Sequence, residues 1–126
     1  MELKNYFETT SGTGILSTAD KNGNVDAAIY SRPHFLEEGT IAFIMRDSLS
    51  HKNLGSNPRA VYLFIADGPG YKGTRLYLTK VKEEKNLEQI ESLKRRKKQS
   101  NLGEEKFLVF FELEQQRPLV GDENRK

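Results

Sequence analysis

The sequence predicts a mainly β domain in which antiparallel strands curl into a barrel and helices pack outside it. Three observations carry that reading. Strand-like apolar segments recur along the chain, about six of them. Most are joined by short, turn-forming connectors rather than by helices. Only one long amphipathic segment is present, residues 86–99, whereas a doubly wound parallel sheet needs a helix after nearly every strand.

Taken in order, residues 2–10 place Leu3, Tyr6 and Phe7 at helical spacing, the pattern of a short amphipathic helix that Ser11 and Gly12 end. Residues 14–19 and 25–33 read as two strands around Asp20-Lys21-Asn22-Gly23-Asn24, where Asn22-Gly23 tolerates the positive φ of a tight hairpin. In the second strand Val25, Ala27, Ile29 and Ser31 face one way, and Asp26, Ala28, Tyr30 and Arg32 the other. Leu36-Glu37-Glu38-Gly39 then connects to residues 40–45, a run apolar on both faces, as a central barrel strand would be; residues 60–66 repeat that character.

A turn at residues 67–73 leads into residues 75–81, where Leu76 and Leu78 alternate with Tyr77 and Thr79. In residues 86–99 Leu87, Ile90 and Leu93 recur at every third position. Glu88 and Glu91 lie early, the run Lys94, Arg95, Arg96, Lys97 and Lys98 lies late, and Gly103 lies just beyond, an order that complements the helix dipole. Residues 106–115 set Phe107, Val109, Phe111 and Leu113 on one face and Leu108 and Phe110 on the other, a strongly β-prone strand. One domain over residues 1–120 is expected, followed by a polar tail at 121–126.

With 126 residues the chain can bury a real core; 36% of it is apolar, 30% is charged and the net charge is +2. That charge is too small to argue for nucleic acid, and nothing in the composition reads as membrane. Zero cysteines exclude a disulfide, a thiolate metal site and a thiol nucleophile, and two histidines are too few for a multi-histidine centre, so no metal is expected. Residues 1–11 show no apolar signal core, and a cytoplasmic setting is the expectation.

The stretch that carries most chemistry is residues 45–59, MRDSLSHKNLGSNPR, a polar connector between two apolar strands. Asp47 or Ser48 is placed to cap a helical turn whose first residues include Ser50, His51 and Lys52, and Asn57-Pro58 ends it, because the residue before a proline is pushed out of the helical region. A helix N-terminus with free N–H groups, hydroxyls and a lysine suits a phosphate. Tyr30-Ser31-Arg32, at the end of the second strand, adds a phenol, a hydroxyl and a guanidinium fork.

Other motifs read blandly. Gly68-Pro69-Gly70-Tyr71-Lys72-Gly73 matches G-x-G-x-x-G, but it opens a strand rather than the helix a pyrophosphate needs, so a hairpin turn is expected. The basic run at residues 94–98 is a solvated helix end, and His34 reads as a hydrogen-bonded structural residue. His51, lying inside the phosphate turn, is a candidate ligand contact.

In order along the chain stand Gly14-Ile15-Leu16-Ser17-Thr18 with its Asn-Gly hairpin, Tyr30-Ser31-Arg32, Phe43-Ile44-Met45, Ser50-His51-Lys52-Asn53-Leu54, Asn57-Pro58-Arg59, residues 60–65 and the Gly-Tyr-Lys-Gly hairpin. This ordered set resembles the FMN-binding split-barrel superfamily and its pyridoxamine 5′-phosphate oxidase-like members, over residues 13–81 and more loosely 107–113. The resemblance implies a six-stranded antiparallel split β-barrel with a short N-terminal helix, a short phosphate-binding helix and one longer outer helix. It also implies a homodimer with one FMN per subunit where the barrels meet. Carried over by residue, the cofactor-binding candidates are Tyr30, Ser31, Arg32, Ser50, His51, Lys52 and Asn53.

Counted back from Asn57-Pro58, the family's usual phosphate lysine falls at Ser50, two places before Lys52. The arginine-rich C-terminal segment with which the oxidases hold their substrate has no counterpart here, so vitamin B6 oxidation is not implied. The expectation is an FMN-dependent oxidoreductase acting on an unidentified small-molecule acceptor, with no side chain nominated as a catalytic acid or base. The alternatives are a non-enzymatic carrier or sensor of flavin, F420 or haem, and a structural dimeric domain.

Overall fold

The structure, a computed structural model, describes residues 2–85, 87–93 and 106–121. Three helices, α1 (Glu2–Thr9), α2 (Leu49–Ser56) and α3 (Leu87–Leu93), accompany six strands. The strands are β1 (Gly12–Ala19), β2 (Val25–Tyr30), β3 (Thr40–Arg46), β4 (Arg59–Ala66), β5 (Gly73–Glu84) and β6 (Lys106–Pro118). They form one sheet in the order β2-β1-β4-β5-β6-β3, and every neighbouring pair is antiparallel.

Two tight hairpins set the register of the first four neighbours. Between β1 and β2 the Asp20 carboxylate accepts the N–H groups of Asn22 and Asn24, both at 2.9 Å, and Gly23 takes φ +86°. The side-chain amide of Asn24 is the largest cause holding the Asp20 carboxyl below its usual range. Between β4 and β5 the glycine-rich segment forms a turn, and Gly73 opens β5 pressed against β4: a Cβ there would lie 1.9 Å from the Phe64 carbonyl oxygen.

Alternation along the strands builds the inner core. Leu16, Ile41, Phe43, Met45, Tyr62, Phe64, Leu76, Leu78, Phe107, Val109 and Phe111 are buried inside the curl. Helix α1 closes one end by inserting Phe7, whose ring centre lies 4.9 Å from that of Phe64 and 6.1 Å from those of Tyr62 and Phe35. A second, outer cluster joins Ala42, Leu108 and Phe110 to Ile90 of α3.

That outer cluster corrects one expectation. Strand β3, expected to be central, lies at the edge of the sheet. Its two-sided apolar character comes from the curl on one face and the α3 cluster on the other, not from a strand on either side. The backbone of His34 pairs with Ala42 in both directions at 2.8 Å and covers part of that edge. Strands β5 and β6 also run longer than expected, with register shifts between Tyr77 and Leu78 and between Lys80 and Lys82. Of the expected helix over 86–99 only Leu87–Leu93 falls within the described residues; the basic run 94–98 and most of the tail lie outside them.

The outer face of β2, β1, β4 and β5 has no helix on it among the described residues. Ile15, Val25, Ile29, Val61, Leu63 and Tyr77 share it by register, with Val25 82% and Ile29 77% exposed. Among the described residues no helix is long and apolar enough to cross a membrane.

Candidate functional site

Because β2 and β3 are the two edges of the sheet, the curl leaves a split between them, and α2 lies at its mouth. There a groove of about 580 Å³ is lined by Asp26, Ala28, Ile29, Tyr30 and Ser31 from β2 and its end, by Ile44 and Arg46 from β3, and by Ser48, Leu49 and Ser50 at the start of α2.

Local sequence explains why the start of α2 faces the groove. Ser48, in extended conformation, caps the helix, and its hydroxyl accepts the His51 N–H at 3.5 Å. Ser50, Asn53 and Leu54 form the buried face, consistent with three- and four-residue helical spacing. Asn57, in extended conformation before Pro58, ends the helix as the sequence expects. The Tyr30 hydroxyl lies 3.5 Å from the Ser48 hydroxyl, so the end of β2 and the cap of α2 meet across the groove.

The end of β2 is itself fixed from below. Tyr62, fully buried on β4, passes its phenol over Gly14 of β1 and donates to the carbonyls of Ser31 at 3.1 Å and Tyr30 at 3.3 Å. Only glycine at position 14 permits this, since a Cβ there would lie 1.8 Å from the Tyr62 hydroxyl oxygen.

The residues singled out from the sequence divide into two groups. Tyr30, Ser31 and Ser50 line the groove, Ser50 being only 2% exposed. The other four are directed elsewhere. Arg32 donates from Nη1 to the carbonyls of Phe7 at 3.0 Å and Thr10 at 2.9 Å, neutralising the C-terminal end of α1. Asn53 is buried and donates to the Thr18 hydroxyl at 3.0 Å. His51 stacks on Phe107, ring centres 3.9 Å apart, and its Nε2 lies 3.0 Å from the Glu83 carboxylate, which Lys80 also engages at 2.7 Å. Lys52 is exposed and does not line the groove.

Three polar residues of the groove, Asp26, Arg46 and Ser48, are not among the cofactor-binding candidates of the sequence. Arg46 ends the strand before the turn and Ser48 was read only as a cap; Asp26 shares its strand face with Tyr30, which was the available signal. Burial pushes the Glu83 carboxyl up, but the hydrogen bonds from Lys80 and His51 outweigh it and hold that carboxyl below the ordinary glutamate range.

Chemically the groove is amphiphilic. The Ser48 and Ser50 hydroxyls, the Tyr30 phenol, Arg46 and the positive end of α2 suit a phosphate, while Ala28, Ile44 and Leu49 offer an apolar wall to a flat ring. Among the described residues no cluster of three metal-ligating side chains exists.

No family model matches the chain, and no curated protein sequence matches it. Solved structures do. An FMN-binding protein from Syntrophomonas wolfei subsp. wolfei superposes with a TM-score of 0.74 at 17% identity, covering 97% of this chain and 89% of that one. HupZ of Group A Streptococcus gives 0.70 at 13%, covering 99% and 97%. An F420 reductase gives 0.68 at 9%, covering 84% and 89%. The fold shared with these proteins is a six-stranded antiparallel split barrel with flanking helices. That fold is the one implied by the resemblance of the ordered sequence features.

Proposed function

We infer that the chain is an FMN-binding flavoprotein of the pyridoxamine 5′-phosphate oxidase-like type, working as a homodimer and serving as an oxidoreductase toward a small-molecule acceptor. The observation that carries this reading is the groove between the sheet edges, with phosphate-suited donors at the start of α2 and an apolar wall beside them. Its donor set fits the phosphate of FMN: Ser48, Ser50, Tyr30 and Arg46 would hold it, with the N–H groups at the start of α2. When bound, FMN supplies one- and two-electron redox chemistry, and the protein's part is to orient it and shield it from water. The uncovered outer face, rich in Ile, Val and Leu beside the groove, supports a second copy as its cover, since a monomer rarely exposes so continuous an apolar patch.

Titration of the apoprotein with FMN tests the cofactor. Saturable uptake with a shifted flavin spectrum is expected, and no uptake at micromolar concentrations overturns the reading. Steady-state NAD(P)H oxidation with and without FMN then separates a reductase from a carrier. Likeness to an F420 reductase gives the same groove a second candidate ligand, so F420 belongs in the same titration.

A further inference from the structure

We propose that Asp26 is the specificity determinant of the groove: its carboxylate receives hydrogen-bond donors of the bound molecule, at the end opposite the one that takes the phosphate. This rests on the flavin reading above. Asp26 pairs with buried Thr18 across β1 and β2, which puts it on the inner face with Ala28 and Tyr30 and in the lining of the groove. Of the lining residues it is the one carboxylate, and Arg46 is the one cation.

The carboxylate of Asp26 has no hydrogen bond or ion pair among the described residues, whereas its neighbour Thr18 is satisfied by Asn53. Half-buried and without a partner among the described residues, it is an acceptor presented to whatever occupies the groove. A carboxylate can only accept, so the matching part of the ligand carries hydroxyls or ring N–H groups.

Distance decides whether it would instead repel the phosphate. Four steps of extended strand lead from Asp26 to Tyr30, about 13 Å at roughly 3.3 Å per residue. That exceeds the Debye length of about 8 Å at physiological salt, so the carboxylate leaves the phosphate end largely unopposed. The ligand class that satisfies both ends is a monophosphate whose other part bears several donors, such as the ribityl chain and imide of FMN. A simple phosphate satisfies only one end.

The experiment crosses two variants with two ligands. Affinities of FMN and riboflavin are measured by fluorescence quenching for the wild type, Asp26→Ala and Arg46→Ala. Asp26→Ala weakens both flavins by the same factor, about tenfold or more for loss of hydrogen bonds to a charged acceptor. Arg46→Ala weakens FMN more than riboflavin. Asp26→Asn keeps an acceptor and recovers part of the loss; it also serves if the alanine variant folds poorly, as judged by circular dichroism.

Tighter FMN binding by Asp26→Ala, or unchanged riboflavin affinity, overturns the role of Asp26 while leaving the flavin reading intact. A wild type that binds neither flavin overturns both.

Discussion

Replacing Gly14 with alanine tests the link between the core and the groove wall most directly. The added Cβ would lie 1.8 Å from the Tyr62 hydroxyl oxygen, 2.3 Å from Cζ and 2.7 Å from Cε1. Carbon contacts settle near 3.5–4.0 Å, so the phenol must withdraw by roughly 1–2 Å. It then loses its hydrogen bonds to the Ser31 and Tyr30 carbonyls, now 3.1 and 3.3 Å long. Overpacking costs about 1–3 kcal/mol and the lost hydrogen bonding about 1 kcal/mol. The sum, about 2–4 kcal/mol, is a large share of a typical domain stability of roughly 5–15 kcal/mol.

Urea denaturation reads this as a lower midpoint at unchanged slope, and thermal melting as a fall on the order of 10 °C. The cause is isolated by a cycle with Tyr62→Leu, which removes the colliding ring. In that background Gly14→Ala becomes nearly neutral, since alanine suits a strand interior better than glycine by roughly 0.5–1 kcal/mol. An equal cost of Gly14→Ala in both backgrounds refutes the steric account. A cost in the wild type below about 0.5 kcal/mol does so as well.

Two further outcomes follow from the geometry. The Glu83 carboxyl is held below the ordinary glutamate value near 4.5, so its contribution to stability is present above that value and lost as pH falls through the lowered one. The stability gap between wild type and Glu83→Gln, measured by urea midpoints, is therefore expected at pH 7 and narrows as the carboxylate is protonated in acid; a gap constant with pH contradicts the ion-pair role. Ile29→Lys or Val25→Lys on the exposed face of β2 is expected to convert a dimer to a monomer in sedimentation equilibrium without lowering the melting temperature of the monomer. A monomeric wild type contradicts the covered-face reading.

The strands were legible because period-two alternation over Val25 to Tyr30 has few other solutions, Phe107 to Phe111 is a short run of β-prone apolar residues, and Asn22-Gly23 announces its hairpin. The place of β3 was not legible. A run apolar on both faces reads the same whether a strand lies between others or is covered by a helix, and α3 supplied the second cover. The site was half legible for a related reason. Tyr30 and Ser50 follow strand parity and helical spacing into the groove, but Arg32 lies just past the end of β2, where parity no longer governs, and it turns to the carbonyl end of α1. His51 follows Ser50 on the helix, about 100° around it, and finds Phe107 and Glu83 instead of the groove.

The same division of labour explains how a short helix can present a polar end to solvent and still hold its place. Eight residues are too few for a helix to be stable on its own. Asn53 ties α2 to Thr18 of β1, Leu54 enters the core, and His51 clamps the helix to Phe107 of β6 and Glu83 of β5. These three attachments leave in different directions and none uses Ser48. The cap hydroxyl, with hydrogen bonds stretched to 3.5 Å toward both His51 and Tyr30, is therefore the member of the helix whose present partners are weakest. A phosphate in the groove can take over the Ser48 hydroxyl and the helix N–H groups without loosening α2, because the side chains that attach the helix are not the ones that face the ligand.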